Sequence, residues 1–71
     1  MELDWLLKTI AEDVVVWIAI GGDDNAVYFN EAGLCPIGIA KKYNVVEIYP
    51  EYYGAISCTG ITIIVKERNV M

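Results

Sequence analysis

The strongest pattern in the chain is the apolar run Val14–Ile20, rich in β-branched residues and carrying one indole. Both of its period-2 faces are apolar, with Val14, Val16, Ile18 and Ile20 on one and Val15, Trp17 and Ala19 on the other. That is the pattern of a strand covered on both sides, and it predicts the central strand of a sheet. Ahead of it, Leu3, Leu6, Leu7 and Ile10 recur at the spacing of an amphipathic helix, which predicts a helix over residues 2–12. Glu2 and Asp4 suit the positive end of its dipole, whereas Glu12 and Asp13 oppose the negative end and mark the exit into the strand. Trp5 falls about 150° from the centre of the Leu/Ile stripe. It is therefore expected to face solvent, either folded over the sheet edge or serving as a contact anchor.

After the central strand, Gly21–Asn25 is a loop of residues that tolerate positive φ, and Ala26–Phe29 is apolar again, so a β-hairpin is predicted. Between residues 30 and 44, Gly33, Pro36 and Gly38 break any long helical period; Pro36 opens at most a short helix through Tyr43. Lys41 and Lys42 then complement the carbonyls at its end. Val45–Tyr49 is read as a third strand and Ala55 to about Val65 as a fourth, joined by a turn at Pro50–Gly54. Gly60 inside the fourth strand signals a bulge or a close backbone approach. Lys66, Glu67 and Arg68 end that strand in charge, which discourages edge pairing. The whole is a single α+β domain over residues 1–71: an N-terminal amphipathic helix packed on an antiparallel sheet of about four strands, with a short helix or turn between two hairpins.

Composition changes this picture in two ways. Hydrophobic residues make up 56% of the chain, above the roughly 45–50% of ordinary soluble domains, yet a domain this short buries only about 60% of its unfolded surface. The excess predicts an apolar contact with another chain, either a homo-oligomer or a partner-covered surface. Ten carboxylates against five basic residues give a net charge of −5, which disfavours direct nucleic-acid binding and suits a protein partner with a basic surface. The start Met1-Glu2-Leu3-Asp4 is acidic where a secretory signal is basic, and the longest apolar run is well short of the ~20 residues a membrane span needs. A cytoplasmic protein with no membrane contact is expected, with Cys35 and Cys58 as reduced, small core residues.

Candidate chemistry is sparse. There is no histidine, and the only serine, Ser57, lies in a predicted strand with no base beside it, so the common acid/base and triad arrangements are excluded. Cys35 beside Pro36 lacks the electropositive surrounding a reactive thiol needs, unless Lys41 and Lys42 supply it. Gly33 and Gly38 have the glycine spacing of a phosphate-binding loop, but Ile39 and Ala40 stand where Lys and Ser/Thr are required. Gly22-Asp23-Asp24 between apolar flanks resembles the metal-holding turn of RNA-dependent polymerases. No other polymerase motif accompanies it, and a plain turn is the expectation. Counted from Asp23, Leu34 occupies the place of an EF-hand's bidentate glutamate. No enzyme, cofactor or metal is therefore predicted. What remains is a recognition surface: Glu47, Tyr49, Glu51, Tyr52 and Tyr53 fall within seven positions, and tyrosines give contact area with a polar tip at low entropic cost. With Trp5, Asp23 and Asp24 they form the expected partner-binding set. In small size and acid excess the chain is similar in kind to phage-encoded inhibitors of host defence, including anti-CRISPR proteins. That likeness implies a non-enzymatic inhibitor of a protein partner, such as one that handles nucleic acid. The alternative is a structural homo-oligomeric module with no heterologous target.

Overall fold

A computed structural model describes residues 1–68. Helix α1 spans Leu3–Thr9 and is followed by β1 (Val15–Ile20), β2 (Ala26–Glu31), a 3₁₀ turn (Ala32–Leu34), α2 (Ile37–Ala40), β3 (Tyr43–Tyr53) and β4 (Cys58–Glu67). The strands form one sheet in the order β2-β1-β4-β3. Two hairpins, β1–β2 and β3–β4, are antiparallel, and β1 runs parallel to β4 where the hairpins meet. The α+β architecture is as the sequence predicts, with an inner β1, but the sheet is mixed rather than wholly antiparallel. The reason lies in the connection: the 3₁₀ turn and α2 carry the chain from one edge of the sheet to the other, so the second hairpin enters with its last strand beside β1.

Helix α1 is shorter than its apolar period. Leu3, Leu6 and Leu7 are buried, but Ile10 is already extended, with its N–H held by the Leu6 carbonyl. Thr9 donates to the Trp5 carbonyl at 3.0 Å, satisfying one group of the last turn. The helix lies across one face of the sheet only. There Leu3, Leu6 and Leu7 meet Val16 and Ile18 of β1 and Ile63 and Val65 of β4, with Ala32, Ala40 and Tyr43 completing the core. Val16, Ile18, Ile63 and Val65 retain no exposure at all. Among the described residues the opposite face carries no second layer, which corrects the reading of β1 as covered on both sides: Val15 and Trp17 are only half-buried.

Three further expectations are corrected. The turn of the second hairpin is at residues 54–57, not Pro50–Gly54, because Tyr52 and Tyr53 continue the ladder opposite Thr59 and Cys58. Pro50 is accommodated because β3 is an edge strand, where a missing N–H costs no ladder bond. Helix α2 stops at Ala40, and Tyr43 begins β3 instead of ending the helix. Cys35 and Cys58 are free and half-buried, outside the tight core, since each lies at the end of an element rather than in its middle.

Each sheet edge is blunted at one end. At β3, Val45 N–H bonds the Met1 carbonyl at 2.7 Å and Glu2 bridges to Asn44, so the N-terminal segment covers the start of the strand. At β2, the Ala32 N–H bond to Val14 O extends the β1–β2 ladder, and the alternation along it turns the backbone groups of Glu31 outward. Both are taken by the strand's own side chains: Asn30 Oδ1 accepts from Glu31 N–H at 2.7 Å, and Tyr28 O–H donates to the Glu31 carbonyl at 2.6 Å.

Candidate protein-binding surface

The helix-free face of the sheet is built by register. Trp17 of β1 stands opposite Phe29 of β2 and Thr62 of β4, and Thr62 in turn faces Tyr49 of β3. A register shift at Val46 decides what β3 shows here. Before it, Tyr43 and Val45 point to the helix; after it, Glu47, Tyr49, Glu51 and Tyr53 share the open face and Ile48, Pro50 and Tyr52 the other.

Gly60 organises the aromatic residues. A Cβ at this position would overlap the Val15 carbonyl oxygen and come within 2.8 Å of Tyr53 Cε2. Lacking one, Gly60 leaves a notch across which the Tyr53 ring lies, so the glycine marks a close approach and the bulges fall elsewhere. From there the Tyr53 ring stacks near Trp17 at 6.2 Å between centroids and meets Phe29 edge-on at 5.1 Å; Trp17 and Phe29 are edge-to-face at 4.9 Å. These geometries favour the ring quadrupoles. They also bury Tyr53 on a face that no helix covers.

A chain of hydrogen bonds fixes the polar part. Thr62 Oγ1 donates to Glu51 Oε1 at 2.7 Å, which leaves Tyr53 O–H to donate to Thr62 Oγ1, also at 2.7 Å. Burial holds the Tyr53 phenol above its usual range; the bond to Thr62 opposes the rise and the Glu51 charge and Tyr49 add to it. The phenol is therefore a stable donor at neutral pH. Beside this chain is a hollow of about 260 Å³ lined by the aromatic Trp17, Tyr49 and Tyr53, by Ala19, Thr62 and Ile64 of the two inner strands, and by the carboxylates Asp23, Asp24 and Glu51. Asp23 Oδ1 accepts from Asn25 N–H at 3.1 Å, the bond of an Asx turn. The cation that shares this face among the described residues, Lys66, lies beyond Ile64 and does not line the hollow.

Of the residues expected to bind a partner, Glu47, Tyr49, Glu51, Tyr53, Asp23 and Asp24 thus stand on or around one surface. Tyr52 does not: it faces the helix side, beyond the reach of α1, and is 62% exposed. Trp5 is exposed on the outer side of α1, in the opposite layer. Trp17, Phe29 and Thr62 are part of the surface and were not singled out by the sequence. A usable signal was present, since a turn centred on Asp23 places Trp17 directly opposite Phe29.

A second hollow, of about 340 Å³, lies in the helical layer and is lined by Leu7, Ile10, Cys35 and Ile37 among others. Its Asp4 and Lys8 pair with each other at 3.3 Å. Burial pushes the Cys35 thiol up, away from the thiolate a nucleophile requires. Among the described residues, no three His, Cys, Asp or Glu side chains gather as a metal site, and no helix is long and apolar enough to cross a membrane. Asp23 and Asp24 belong to an exposed turn.

The chain matches no protein-family profile, no curated protein and no solved structure.

Proposed function

We propose that this chain is a non-enzymatic interaction protein that docks a basic surface of a protein partner on the open face of its sheet and inhibits that partner by occupying it. The observation that carries the reading is the combination on one unlayered face of four aromatic side chains, Trp17, Phe29, Tyr49 and Tyr53, with the carboxylates Asp23, Asp24, Glu47 and Glu51. Aromatic residues supply the buried contact area of interface hot spots, and carboxylates around them steer and orient a cationic partner. A partner whose basic surface otherwise holds nucleic acid is the class such a face would block, as phage-encoded inhibitors of host defence do. The cytoplasm is the compartment this reading implies, in keeping with two unpaired thiols.

Charge reversal at exposed positions of the face tests the proposal. The double variant Glu47→Lys/Asp24→Lys leaves the core untouched and is expected to lose a basic partner that wild-type protein retains at low salt and releases at high salt. Retention of the same partner by this variant, with loss on Trp5→Ala, would move the interface to the helical layer.

A second reading, a homo-oligomeric structural module, is favoured by the apolar residues that α1 leaves uncovered on the second hairpin: Ile48, Tyr52 and Ile56 are 42%, 62% and 48% exposed. The blunted edges argue for contact through faces rather than by strand addition. Sedimentation distinguishes the two, because a salt-insensitive oligomer formed without any partner supports the structural module.

A further inference from the structure

We propose that the hollow on the open face is a pocket for one arginine side chain, the anchor residue of the basic partner; this inference rests on the docking function proposed above and specifies its ligand. The hollow combines the three kinds of surface that suit an arginine side chain. Ala19 and Ile64 line it with apolar surface for the aliphatic stem, Trp17, Tyr49 and Tyr53 line it with aromatic rings for a planar guanidinium, and the carboxylates of Asp23, Asp24 and Glu51 supply acceptors for its hydrogens.

Two of these carboxylates are set before a ligand arrives. Glu51 is held through Oε1 by Thr62, itself held by Tyr53, which leaves Oε2 for an incoming donor. Asp23 commits Oδ1 to the Asn25 amide and keeps Oδ2. Two acceptors on different strands and turns suit a fork of N–H donors better than the compact, strongly hydrated ammonium of lysine.

Other occupants fit less well. At about 260 Å³ the space is below the ~300–1,000 Å³ usual for drug-sized ligands. A metal ion would need carboxylates that converge, and among the described residues none gather so. A quaternary ammonium is held in a box of splayed rings, whereas Trp17, Phe29 and Tyr53 pack on one another at 4.9–6.2 Å.

The test uses the Trp5→Phe protein, in which Trp17 is the single indole, titrated with N-acetyl-arginine amide, the lysine and citrulline analogues, and an arginine-rich peptide. Trp17 fluorescence and the amide and methyl resonances of Ala19, Thr62 and Ile64 are followed. The capped arginine is expected to shift them saturably with a dissociation constant on the order of 1 mM. Lysine should bind several-fold more weakly, and neutral citrulline should not bind. Glu51→Gln, which retains an oxygen for Thr62, is expected to weaken arginine binding about five-fold or more; Asp24→Asn, in an exposed turn, provides a second variant free of folding effects. Equal shifts with citrulline, or none with arginine, would overturn the pocket. If the arginine-rich peptide then still shifts Glu47 and Phe29 while sparing Ala19 and Ile64, the docking face stands without the pocket. If the peptide shifts nothing on the face, both fall.

Discussion

Replacing Gly60 by alanine tests how the open face is built. The added methyl would overlap the Val15 carbonyl oxygen and sit 2.8 Å from Tyr53 Cε2. The ring can turn aside, but the carbonyl belongs to the inner strand of the sheet and moves only if the β1–β4 pairing moves with it. Overpacking of this kind costs about 1–3 kcal/mol, and contact with backbone places the cost near the top of that range. Alanine's lower conformational entropy in the unfolded chain returns at most about 0.5–1 kcal/mol. A net loss of about 2 kcal/mol follows. For a domain of this size it corresponds to a fall in Tm of roughly 8–16 °C. Thermal and urea denaturation measure it, and near-ultraviolet circular dichroism reports separately on the Trp17–Phe29–Tyr53 cluster, whose signal should weaken as Tyr53 is displaced. Gly38→Ala is the internal control. Nothing lies within 4 Å of its Cβ position and it sits in α2, so stability should hold or rise by up to about 1 kcal/mol. A Gly60→Ala protein as stable as wild type, with an unchanged aromatic signal, would refute the placement of Tyr53 over β4.

Four other outcomes are expected. Tyr53→Phe keeps the ring contacts and removes one hydrogen bond, so it should cost about 1 kcal/mol, whereas Thr62→Val strips both Tyr53 and Glu51 of a partner and should cost about 1–3 kcal/mol in urea titrations. The phenols of Tyr53 and Tyr28 are both raised above 10.0, chiefly by burial. The native state therefore keeps protons that the unfolded chain gives up, so their contribution is complete below that value and is lost as pH rises through the folded values; tyrosinate absorbance should show Tyr28 and Tyr53 ionising late, and Tyr28→Phe and Tyr53→Phe should each remove one late step. Tyr28→Phe/Asn30→Ala uncovers the outward backbone groups of Glu31 and should produce concentration-dependent self-association by sedimentation where wild type shows less. Trp5→Ala, at a side chain 58% exposed, should change stability by no more than about 0.5 kcal/mol and leave partner binding unchanged.

The elements were legible in the sequence where one period governed a whole segment. Leu3, Leu6 and Leu7 announce α1, and the unbroken apolar run announces an inner strand. Period failed where the backbone breaks it. Tyr43 and Tyr53 are ten residues apart on one strand and an uninterrupted pleat would put them on one face, yet the shift at Val46 sends Tyr43 into the core and Tyr53 to the open side. Past the shift, plain alternation puts Tyr52 on the face opposite Tyr49 and Tyr53, so a tyrosine cluster compact in sequence is divided by the sheet. Trp17 was hidden for a different reason: apolar residues on both faces look alike whether the second face meets another layer or only its own aromatic neighbours. The parallel β1–β4 pair was beyond local pattern altogether, because it depends on which edge the long connection reaches.

On the proposed function, the open sheet face, and not the helical layer, takes a basic partner. Amide chemical-shift mapping during titration with an arginine-rich peptide separates the two faces. Salt-sensitive, saturable shifts centred on Trp17, Ala19, Tyr49, Glu51, Tyr53 and Thr62 are expected, with Trp5, Leu34 and Ile37 unmoved. Shifts confined to those last three residues, or shifts that persist undiminished at high salt, would contradict it.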